Sequence, residues 1–399
     1  MTVDLNKLID KYGKPKAIID YPNCKGFKKI IFDFEETICL DHEKNLIING
    51  IQKKQNIFEG WQQLIEKWKE STKGDEISAL GFFAYDFKNL IYPDYKFTKK
   101  TKKLTPYFWF GKPGKMIDVV DTGYCFEKQG INIKKDLNQL SAFEEKIEDI
   151  KKFLYSGDVY QINYTQPLIF NFDGNPLDLY MQIQSSAKSE FGFYLDIEES
   201  QILSFTPEKF FTKKNHILKS FPIKGTIDRG KNNKQDQSKI KELSESAKDK
   251  AEHLMIVDLL RNDIGKISEF GSINVKDLFS IKTFETIHHM ETEVEGTLKK
   301  NIREIDIIKS LFPGGSITGA PKYRAVQIID ELENYNRGIY TGCIGTITAN
   351  GDMDFNICIR TMTVEDGIAE YPVGGGIVWD SNYKSEYLEA REKANILKY

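Results

Sequence analysis

Beyond Leu137 the chain alternates long helical patterns with short strand patterns, and glycine-rich turns separate them. Apolar residues recur at three- and four-residue spacing in six segments, which predicts helices over 138–155, 176–188, 238–261, 302–311, 321–333 and 381–397. Strand patterns include QILSFTPEKFF, CIGTITA, DFNICIRTMTV and IAEYPVGGGIV. Strands in hairpin-like succession, with helices grouped between them, predict an α+β fold with large, mostly antiparallel sheets flanked by helices.

Residues 1–136 have a different pattern, which is strand-rich and irregular. KKIIFDFEETICL and ALGFFAYDF have the composition of strands, and a helix is predicted between them, around Trp61 to Lys69. The change of pattern near Leu137 predicts two parts, an N-terminal region of residues 1–136 packed on a larger domain of residues 137–399.

The composition argues against several classes of function. The net charge is −3, from 56 Lys and Arg against 59 Asp and Glu, and the basic residues are scattered, so no nucleic-acid partner is expected. No run of apolar residues is long enough to span a bilayer, so no membrane partner is expected. The five cysteines form no CxxC pair, and the chain begins without an apolar targeting segment. We therefore expect reduced thiols and a cytoplasmic location.

Three acidic side chains are candidates for a metal site. Glu386 and Glu389 are three residues apart on the last predicted helix, so their carboxylates share one face. Glu252 lies in AEHLMIVDL, on a helix with one apolar flank. Oxygen ligands on rigid helices suit Mg²⁺. The pattern alone also describes glutamates on a solvated helix face, and such surface pairs are the more common case.

Two glycine-rich turns, LFPGGSITGAPKYRA and YPVGGGIVWDS, each precede a predicted helix. Free N–H groups at a helix N-terminus attract anions, and Lys322 and Arg360 are cations that would add to such a site. Residues 314–319 have glycines at P-loop spacing, but Ala-Pro-Lys follows where a P-loop requires Gly-Lys-Ser/Thr. A nucleoside triphosphate site is therefore disfavoured. Taken alone, each of the two cations is more often a surface residue.

A lysine and a glutamate in consecutive strand patterns are candidates for the chemistry. Lys224, in SFPIKGTIDRG, lies between an apolar strand and a glycine turn, where a lysine can lose its proton and act as a nucleophile. Glu208, in SFTPEKFF, is a candidate general acid, and a hairpin would bring it close to Lys224. His288 and His289 form the one histidine cluster of the sequence. The simpler interpretation is a pair of strand-edge charges and packed histidines.

The order of these segments along the chain resembles the chorismate-utilising enzymes. The segments are SGDVYQIN, SFTPEKFF, PIKGT, AEHLMIVDLLRNDIGK, LFPGGSITGAPK, RGIYTGCIGTI, FNICIRTM and GGGIVWDSNYKSEYLEAREKA. That family includes anthranilate synthase component I, aminodeoxychorismate synthase component I, isochorismate synthases and salicylate synthases. The resemblance covers roughly residues 137–399 and implies the fold of anthranilate synthase component I, with a chorismate-binding catalytic domain. Residues 1–136 would correspond to the variable N-terminal part of these enzymes.

The resemblance also implies roles for individual residues. Glu252 and Glu389, with Glu386 beside them, would hold Mg²⁺, and the metal would bind one carboxylate of chorismate. Glu208 would protonate the departing hydroxyl, and His289 occupies the position of the family's active-site histidine. The positions that would bind substrate are Gln161, Thr226, Thr318, Lys322, Tyr340, Arg360, Gly374, Gly375 and Gly376.

Two positions discriminate among the members of this family. Lys224 stands where anthranilate synthases normally have alanine and aminodeoxychorismate synthases have lysine. In the latter, that lysine is taken to attack ring carbon 2 and expel the hydroxyl from carbon 4, after which ammonia enters at carbon 4. Gln161 stands where isochorismate and salicylate synthases have a lysine base. The resemblance therefore implies amination of chorismate to 4-amino-4-deoxychorismate, a precursor of 4-aminobenzoate and folate.

Two alternatives stay open. The nearer is an anthranilate synthase component I, against which Lys224 speaks, and the other is a non-catalytic chorismate-binding scaffold subunit. No amidotransferase triad is visible in the sequence, so the ammonia is expected to come from a separate glutamine amidotransferase subunit.

Overall fold

The structure is a computed structural model that describes residues 3–21, 27–98, 100, 104–120, 122–124, 126–187, 189–284 and 287–397 of the 399-residue chain. The α-helices in these ranges are α1 (Leu5–Tyr12), α2 (Ile57–Ser71), α3 (Lys88–Ile91), α4 (Leu140–Tyr155), α5 (Pro176–Ala187), α6 (Asn233–Glu245), α7 (Ala247–Ile267), α8 (Glu304–Leu311), α9 (Lys322–Leu332) and α10 (Tyr383–Lys393). Short 3₁₀ helices cover Tyr85–Phe87 and Ala394–Leu397. Within these ranges no helix is both long and apolar enough to cross a bilayer.

The strands of the described ranges are β1 (Val3–Asp4), β2 (Ala17–Tyr21), β3 (Phe27–Ile31), β4 (Phe34–Leu40), β5 (Leu46–Ile48), β6 (Ile51–Lys53), β7 (Ile77–Phe83), β8 (Phe108–Pro113), β9 (Met116–Val120), β10 (Thr122–Gly123), β11 (Asn132–Lys135), β12 (Gln161–Asn171), β13 (Phe191–Asp196), β14 (Gln201–Thr206), β15 (Lys209–Lys214), β16 (Ile217–Ser220), β17 (Ile223–Asp228), β18 (Asn274–Thr283), β19 (Ile287–Thr297), β20 (Gly319–Ala320), β21 (Cys343–Thr348), β22 (Met353–Ile357), β23 (Thr361–Glu365) and β24 (Ile368–Ile377).

Nearly all of these strands belong to two large sheets. Sheet I has 12 strands in the order β17-β19-β16-β15-β22-β21-β7-β8-β4-β5-β6, with β18 also paired to β19. Sheet II has 10 strands, in which β11-β12-β24-β23-β14-β13-β2-β3-β9 form a row and β20 also pairs with β12. Neighbouring strands in both sheets are antiparallel, whereas β1 and β10 form a separate parallel pair. The predicted α+β class with mostly antiparallel sheets is therefore confirmed.

Three sequence patterns that predict single strands each form two strands, and the two halves belong to different sheets. KKIIFDFEETICL divides into β3 and β4, QILSFTPEKFF into β14 and β15, and DFNICIRTMTV into β22 and β23. Pro207 interrupts the second pattern because it has no N–H for the ladder. Arg360 interrupts the third with a left-handed backbone at φ 49°. The single-strand prediction is wrong because both halves have the same apolar composition.

The helix predicted over 238–261 is also wrong in its bounds, since two helices meet at Ser246. The backbone of Ser246 is extended, at φ −64° and ψ 108°, and its hydroxyl accepts the N–H of Asp249 at 3.2 Å. This is the geometry of an N-cap, which ends α6 and begins α7. The other predicted helices are confirmed apart from their end residues, including α2, which contains Trp61 and Lys69.

Strands from residues 1–136 are continuous with both sheets. In sheet II, β2 pairs with β13, and in sheet I, β7 pairs with β21. The buried cluster between the sheets draws on both parts of the chain, for example Ile19 and Leu80 with Phe193 and Ile344. The domain boundary at residue 136 stays a prediction, because the hydrogen bonds of both sheets run across it.

Helix α2 anchors the N-terminal part to sheet I. Asn56 caps it by accepting the N–H groups of Phe58 and Glu59. The helix buries Trp61 completely, with its ring 5.3 Å from that of Phe110, centroid to centroid. Full burial of one large apolar side chain stabilises a fold by roughly 1.5–3 kcal/mol. The N-terminal part is thus held by packing as well as by strand pairing.

Candidate active site

The candidate site lies beside the paired strands β12 and β24, which can approach one another closely because β24 is glycine-rich. A Cβ atom at Gly374 would lie 2.1 Å from the carbonyl oxygen of Tyr164. A Cβ atom at Gly376 would lie 2.9 Å from Cδ of Gln161 and 3.0 Å from Nζ of Lys224. The first contact is with the backbone, so Gly374 requires glycine, whereas a side chain at Gly376 would displace the movable ends of Gln161 and Lys224. The glycines leave room for the two side chains that meet above them.

Lys224, on β17, is the amine of the site. Its Nζ donates to Oε1 of Gln161 at 3.1 Å, and the side chain is half-buried. Burial lowers the pKa of Lys224, while the carboxylates of Glu252, Glu208 and Glu389 act in the opposite direction. A lowered pKa increases the fraction of uncharged amine near neutral pH, which is the nucleophilic form. The geometry therefore suits covalent catalysis by an amine.

Glu208 lies directly after Pro207, where the chain passes from sheet II to sheet I. Its carboxylate is buried, and Oε1 accepts the hydroxyl of Ser316 at 2.8 Å. Burial raises the pKa of Glu208 to about 7, although Ser316 and Lys224 act to lower it. A carboxyl group that is half protonated at neutral pH can donate a proton in a reaction. Glu208 and Lys224 are close enough for each charge to affect the pKa of the other.

Three groups on α10 converge at Gly375. A Cβ atom there would lie 3.6 Å from Oε2 of Glu386, 3.8 Å from Oε1 of Glu389 and 3.6 Å from Nζ of Lys393. Glu389 accepts from Lys393 at 2.8 Å, and the same ammonium donates to the carbonyl of Gly374 at 2.8 Å. The charge of Lys393 also acts on Lys224 and Glu208. Sequence reasoning missed Lys393, although its position four residues after Glu389 on one helix was a usable signal.

The three predicted metal ligands lie near one another but do not form a closed cage. Burial raises the pKa of Glu252, and the nearby Glu389 raises it further. Burial and Glu389 likewise raise the pKa of Glu386, whose Oε1 accepts the hydroxyl of Ser381 at 2.7 Å. Over the described ranges, no three His, Cys, Asp or Glu side chains are already arranged around a metal position. Mutually repelling carboxylates with only oxygen donors nevertheless fit a hard divalent cation.

Two of the predicted substrate-binding residues lie close together near β24. Tyr340 is buried in the turn before β21, and Arg360 lies at the crossing between β22 and β23. Burial raises the pKa of Tyr371, while the charge of Arg360 acts to lower it and Tyr340 acts to raise it, so these three side chains are neighbours. Thr318 is buried, and its hydroxyl donates to the carbonyl of Gly314 at 2.7 Å.

Lys322 is not brought to this cluster. Its ammonium lies 2.5 Å from Oδ2 of Asp263 and donates to the carbonyl of Leu311 at 2.7 Å. The charge of Lys322 is thus paired with a buried carboxylate, and its expected part in an anion site stays a prediction. Sequence spacing alone did not reveal Asp263 as its partner.

His289 lies on β19, and the strand pairing separates it from Lys224. His289 is opposite Thr226, whereas Lys224 is opposite the next residue, Met290. A register shift between Lys224 and Thr226 interrupts the regular alternation of side chains along β17 at this point. The ring of His289 lies 4.4 Å from that of Phe284, centroid to centroid. A catalytic role for His289 stays a prediction, as does a contact between the exposed Thr226 and the substrate.

Comparison with known proteins identifies the family of this chain. A model of the family of chorismate binding enzymes matches residues 126–399. Aminodeoxychorismate synthase component 1 of Escherichia coli (strain K12) is 40% identical over 257 residues, which make up 64% of this chain and 57% of that protein. Anthranilate synthase component 1 of Saccharolobus solfataricus is 36% identical over 258 residues, 65% of this chain and 61% of that protein. The match thus spans less than two thirds of either relative.

A solved structure has the same fold along nearly the whole chain. Anthranilate synthase component I from Streptococcus pneumoniae TIGR4 superposes with a TM-score of 0.82 at 26% sequence identity. The superposition covers 94% of this chain and 92% of that one. The predicted fold of anthranilate synthase component I is therefore confirmed. Together with the family match over residues 126–399, these findings show that the chain belongs to the family of chorismate binding enzymes.

Proposed function

We propose that the chain is the catalytic component of an aminodeoxychorismate synthase, which replaces the carbon 4 hydroxyl of chorismate with an amino group. The observation that carries this proposal is Lys224, a half-buried amine with a lowered pKa that contacts Gln161 and lies near Glu208. The similarity to aminodeoxychorismate synthase component 1 of Escherichia coli supports the same assignment.

The proposed reaction has two displacement steps. In the first, the uncharged Nζ of Lys224 forms a bond to ring carbon 2 and gives up one proton, the two conjugated ring double bonds shift, and the bond between carbon 4 and its oxygen breaks. Glu208 gives its proton to the departing hydroxyl, which leaves as water. In the second step ammonia forms a bond to carbon 4 and gives up one proton, which restores Glu208. The two double bonds return to their first positions, and the bond between carbon 2 and Lys224 breaks as the lysine nitrogen regains its proton. Chorismate and ammonia thus give 4-amino-4-deoxychorismate and water, without oxidation or reduction.

We also propose Mg²⁺ as the cofactor. Glu252, Glu386 and Glu389 would hold it, and when bound it would supply positive charge to a carboxylate of the substrate. Burial is the main cause that raises the pKa values of Glu252 and Glu386, and the charge of Glu389 raises both further, so a cation bound there would stabilise the charged carboxylates. Lys393, bonded at Gly374, is a further cation for the second carboxylate of a dianion such as chorismate.

A glutamine amidotransferase subunit is the proposed source of ammonia, and the cytoplasm the proposed location. The relatives' names include the words "component 1", which suggests that they work with another component. The product would serve the synthesis of 4-aminobenzoate and folate. These statements extend the proposal and depend on the same reaction.

Anthranilate synthase is the second candidate, favoured by the similarity to the Saccharolobus solfataricus and Streptococcus pneumoniae proteins. That reaction places nitrogen on ring carbon 2, the atom that Lys224 would occupy in the mechanism proposed above. An amine of the protein at carbon 2 leaves carbon 4 as the position for ammonia. The scaffold alternative has less support, because Lys224, Glu208 and the carboxylates of α10 are all near one another.

The product of the purified chain tests this proposal. We expect chorismate, ammonium sulfate and Mg²⁺ to give 4-amino-4-deoxychorismate, with nitrogen on carbon 4 located by NMR, and no pyruvate. An arm with EDTA in place of Mg²⁺ is expected to lose turnover. Anthranilate and pyruvate would instead identify an anthranilate synthase, and chorismate binding without turnover in every arm would favour the scaffold alternative.

Two glycine substitutions should differ in kind. Gly376→Ala pushes a methyl group against the movable side chains of Lys224 and Gln161, so we expect a folded protein with turnover reduced by on the order of 10- to 100-fold. Gly374→Ala meets a backbone carbonyl at 2.1 Å and should reduce thermal stability sharply. Gly265→Ala, in α7 with open space around its Cβ position, is the control. Equal turnover of the Gly376 and Gly265 variants would show that the space above Gly376 does not matter.

A further inference from the structure

A buried ion pair lies directly behind the candidate site, in the segment between α9 and β21. Arg337 donates from Nε to Oε2 of Glu333 at 2.8 Å and from Nη2 to Oε1 at 2.6 Å. Both side chains are only 1% exposed. Paired, in-plane bonds of this kind hold a guanidinium in one orientation.

The guanidinium also bonds to three separate segments of the chain. Nη2 donates to the carbonyl of Asn163 at 2.7 Å, on β12. Nη1 donates to the carbonyl of Ile317 at 3.1 Å, in the loop before β20, and to Oγ1 of Thr341 at 3.1 Å. With the two bonds to Glu333, these contacts match the five N–H donors of an arginine. A lysine has three donors and cannot form this set.

Each of the three segments carries part of the candidate site. Asn163 is paired with Gly376, above which Lys224 and Gln161 meet. Ile317 follows Ser316, whose hydroxyl bonds to Glu208 at 2.8 Å. Thr341 follows Tyr340, whose carbonyl accepts the hydroxyl of Thr341 at 2.6 Å. One side chain therefore joins the surroundings of the amine, the acid and the predicted ring-binding tyrosine.

Other contacts strengthen this junction. Oε1 of Glu333 accepts the N–H of Thr165 at 2.9 Å and its hydroxyl at 2.7 Å, so the pair is bonded twice more to β12. The guanidinium carbon of Arg337 lies 4.6 Å from the ring centroid of Tyr85, which belongs to the N-terminal part. A buried ion pair adds little net stability compared with apolar packing, so its bonds to backbone carbonyls are the more informative feature.

We propose that Arg337, oriented by Glu333, is a positioning residue that sets the relative placement of Lys224, Glu208 and Tyr340 for chorismate. The inference rests on the proposed function because it takes chorismate as the substrate, but it does not depend on which product is formed. A catalytic constellation loses about 10²-fold in rate when a group moves by about 1 Å, and Arg337 holds three of the supporting segments.

The test is Arg337→Lys, which keeps the positive charge and loses the fork geometry. We expect a folded protein in which kcat falls by about 10- to 100-fold. The Kd of chorismate, measured by calorimetry with Lys224→Ala added to both proteins so that no adduct forms, should rise by less than about threefold. Arg303→Lys is the matched control, because Arg303 also forms paired bonds to carboxylates, of Glu59 and Asp306, but on an exposed surface. Its kcat should equal that of the wild type.

Thr341→Val covers the case in which Arg337→Lys does not fold. It removes one acceptor of the guanidinium and should lower kcat by about two- to tenfold, as the loss of one hydrogen bond does. A purely structural role would lower the melting temperature and leave kcat per folded molecule unchanged. A kcat within about twofold of the wild type in folded Arg337→Lys, or in Thr341→Val when the former is unfolded, overturns the inference. Release of anthranilate by the wild type would refute the proposed function alone, since kcat and Kd for chorismate remain measurable.

Discussion

Replacing Lys224 with alanine is expected to lower the rate of 4-amino-4-deoxychorismate formation by at least about 10³-fold. The Nζ of Lys224 is the amine that contacts Gln161 above Gly376, and burial lowers its pKa toward the uncharged form. Loss of a covalent nucleophile cannot be offset by neighbouring side chains, because each hydroxyl or amide there is a weaker nucleophile. Steady-state rates with ammonium as the nitrogen source measure the effect.

Two variants separate nucleophilic attack from charge. Lys224→Arg keeps a cation and should be as inactive as the alanine variant, because a guanidinium stays protonated. Lys219→Ala, on β16 in the same sheet, removes a lysine that pairs with Glu293 at 2.8 Å and should leave the rate unchanged. Without ammonia, wild-type protein incubated with chorismate should carry an adduct on Lys224 with the mass of chorismate less one water. Wild-type rates in Lys224→Ala would exclude the covalent step.

Replacing Glu208 with glutamine is expected to lower kcat by on the order of 10²–10⁴-fold, the usual contribution of a positioned general acid. Glutamine keeps the size of the side chain and its bond to Ser316 but has no acidic proton to give to the departing hydroxyl. Glu190→Gln is the matched control, since burial and Glu291 raise the pKa of Glu190 to about 7 as well, while its charged neighbours Glu291 and Lys209 lie outside the proposed mechanism. Near-equal activity of the two variants would argue against Glu208 as the acid.

The pH dependence of kcat tests independently whether Glu208 is the general acid. With a pKa of about 7, Glu208 is protonated and competent below neutrality, and kcat should fall as pH rises through 7. Loss of the uncharged form of Lys224 should limit the rate on the acidic side, so the profile should be bell-shaped. The decrease in kcat near pH 7 should persist in Glu190→Gln and should be absent from the residual activity of Glu208→Gln.

The same pKa shift has a consequence for stability, which checks that the variant folds. The pKa of Glu208 is raised from 4.5 to about 7 in the folded protein. Between these values the folded state keeps a proton that the unfolded state releases, so the free energy of unfolding falls as pH rises through this window and stays lower above it. Glu208→Gln has no ionisable group at this position, so this decrease in the free energy of unfolding is absent from the variant. Urea unfolding at pH 5 and pH 8 should therefore show a smaller decrease in the variant than in the wild type.

Local sequence determined the helices and much of the chemical composition of the site. Apolar spacing of three and four residues placed α4, α5, α8, α9 and α10, because a helix depends on contacts within one turn. The same spacing put Glu386 and Glu389 on one face of α10, and both lie near Gly375 in the structure. The antiparallel α+β architecture also followed from the order of patterns.

Only the tertiary structure decided which strands share a sheet and which charges meet. The crossings at Pro207 and Arg360 split uniform apolar patterns between two sheets, since composition is the same on both sides of each crossing. The partner of Lys322 is Asp263, 59 residues earlier in sequence, and the strand register places His289 opposite Thr226 and Lys224 opposite Met290. Such outcomes depend on long-range register, where a shift of one residue reverses the face of every side chain. The amino-acid sequence thus determined which groups are available, and the packing of two sheets decided which of them act together.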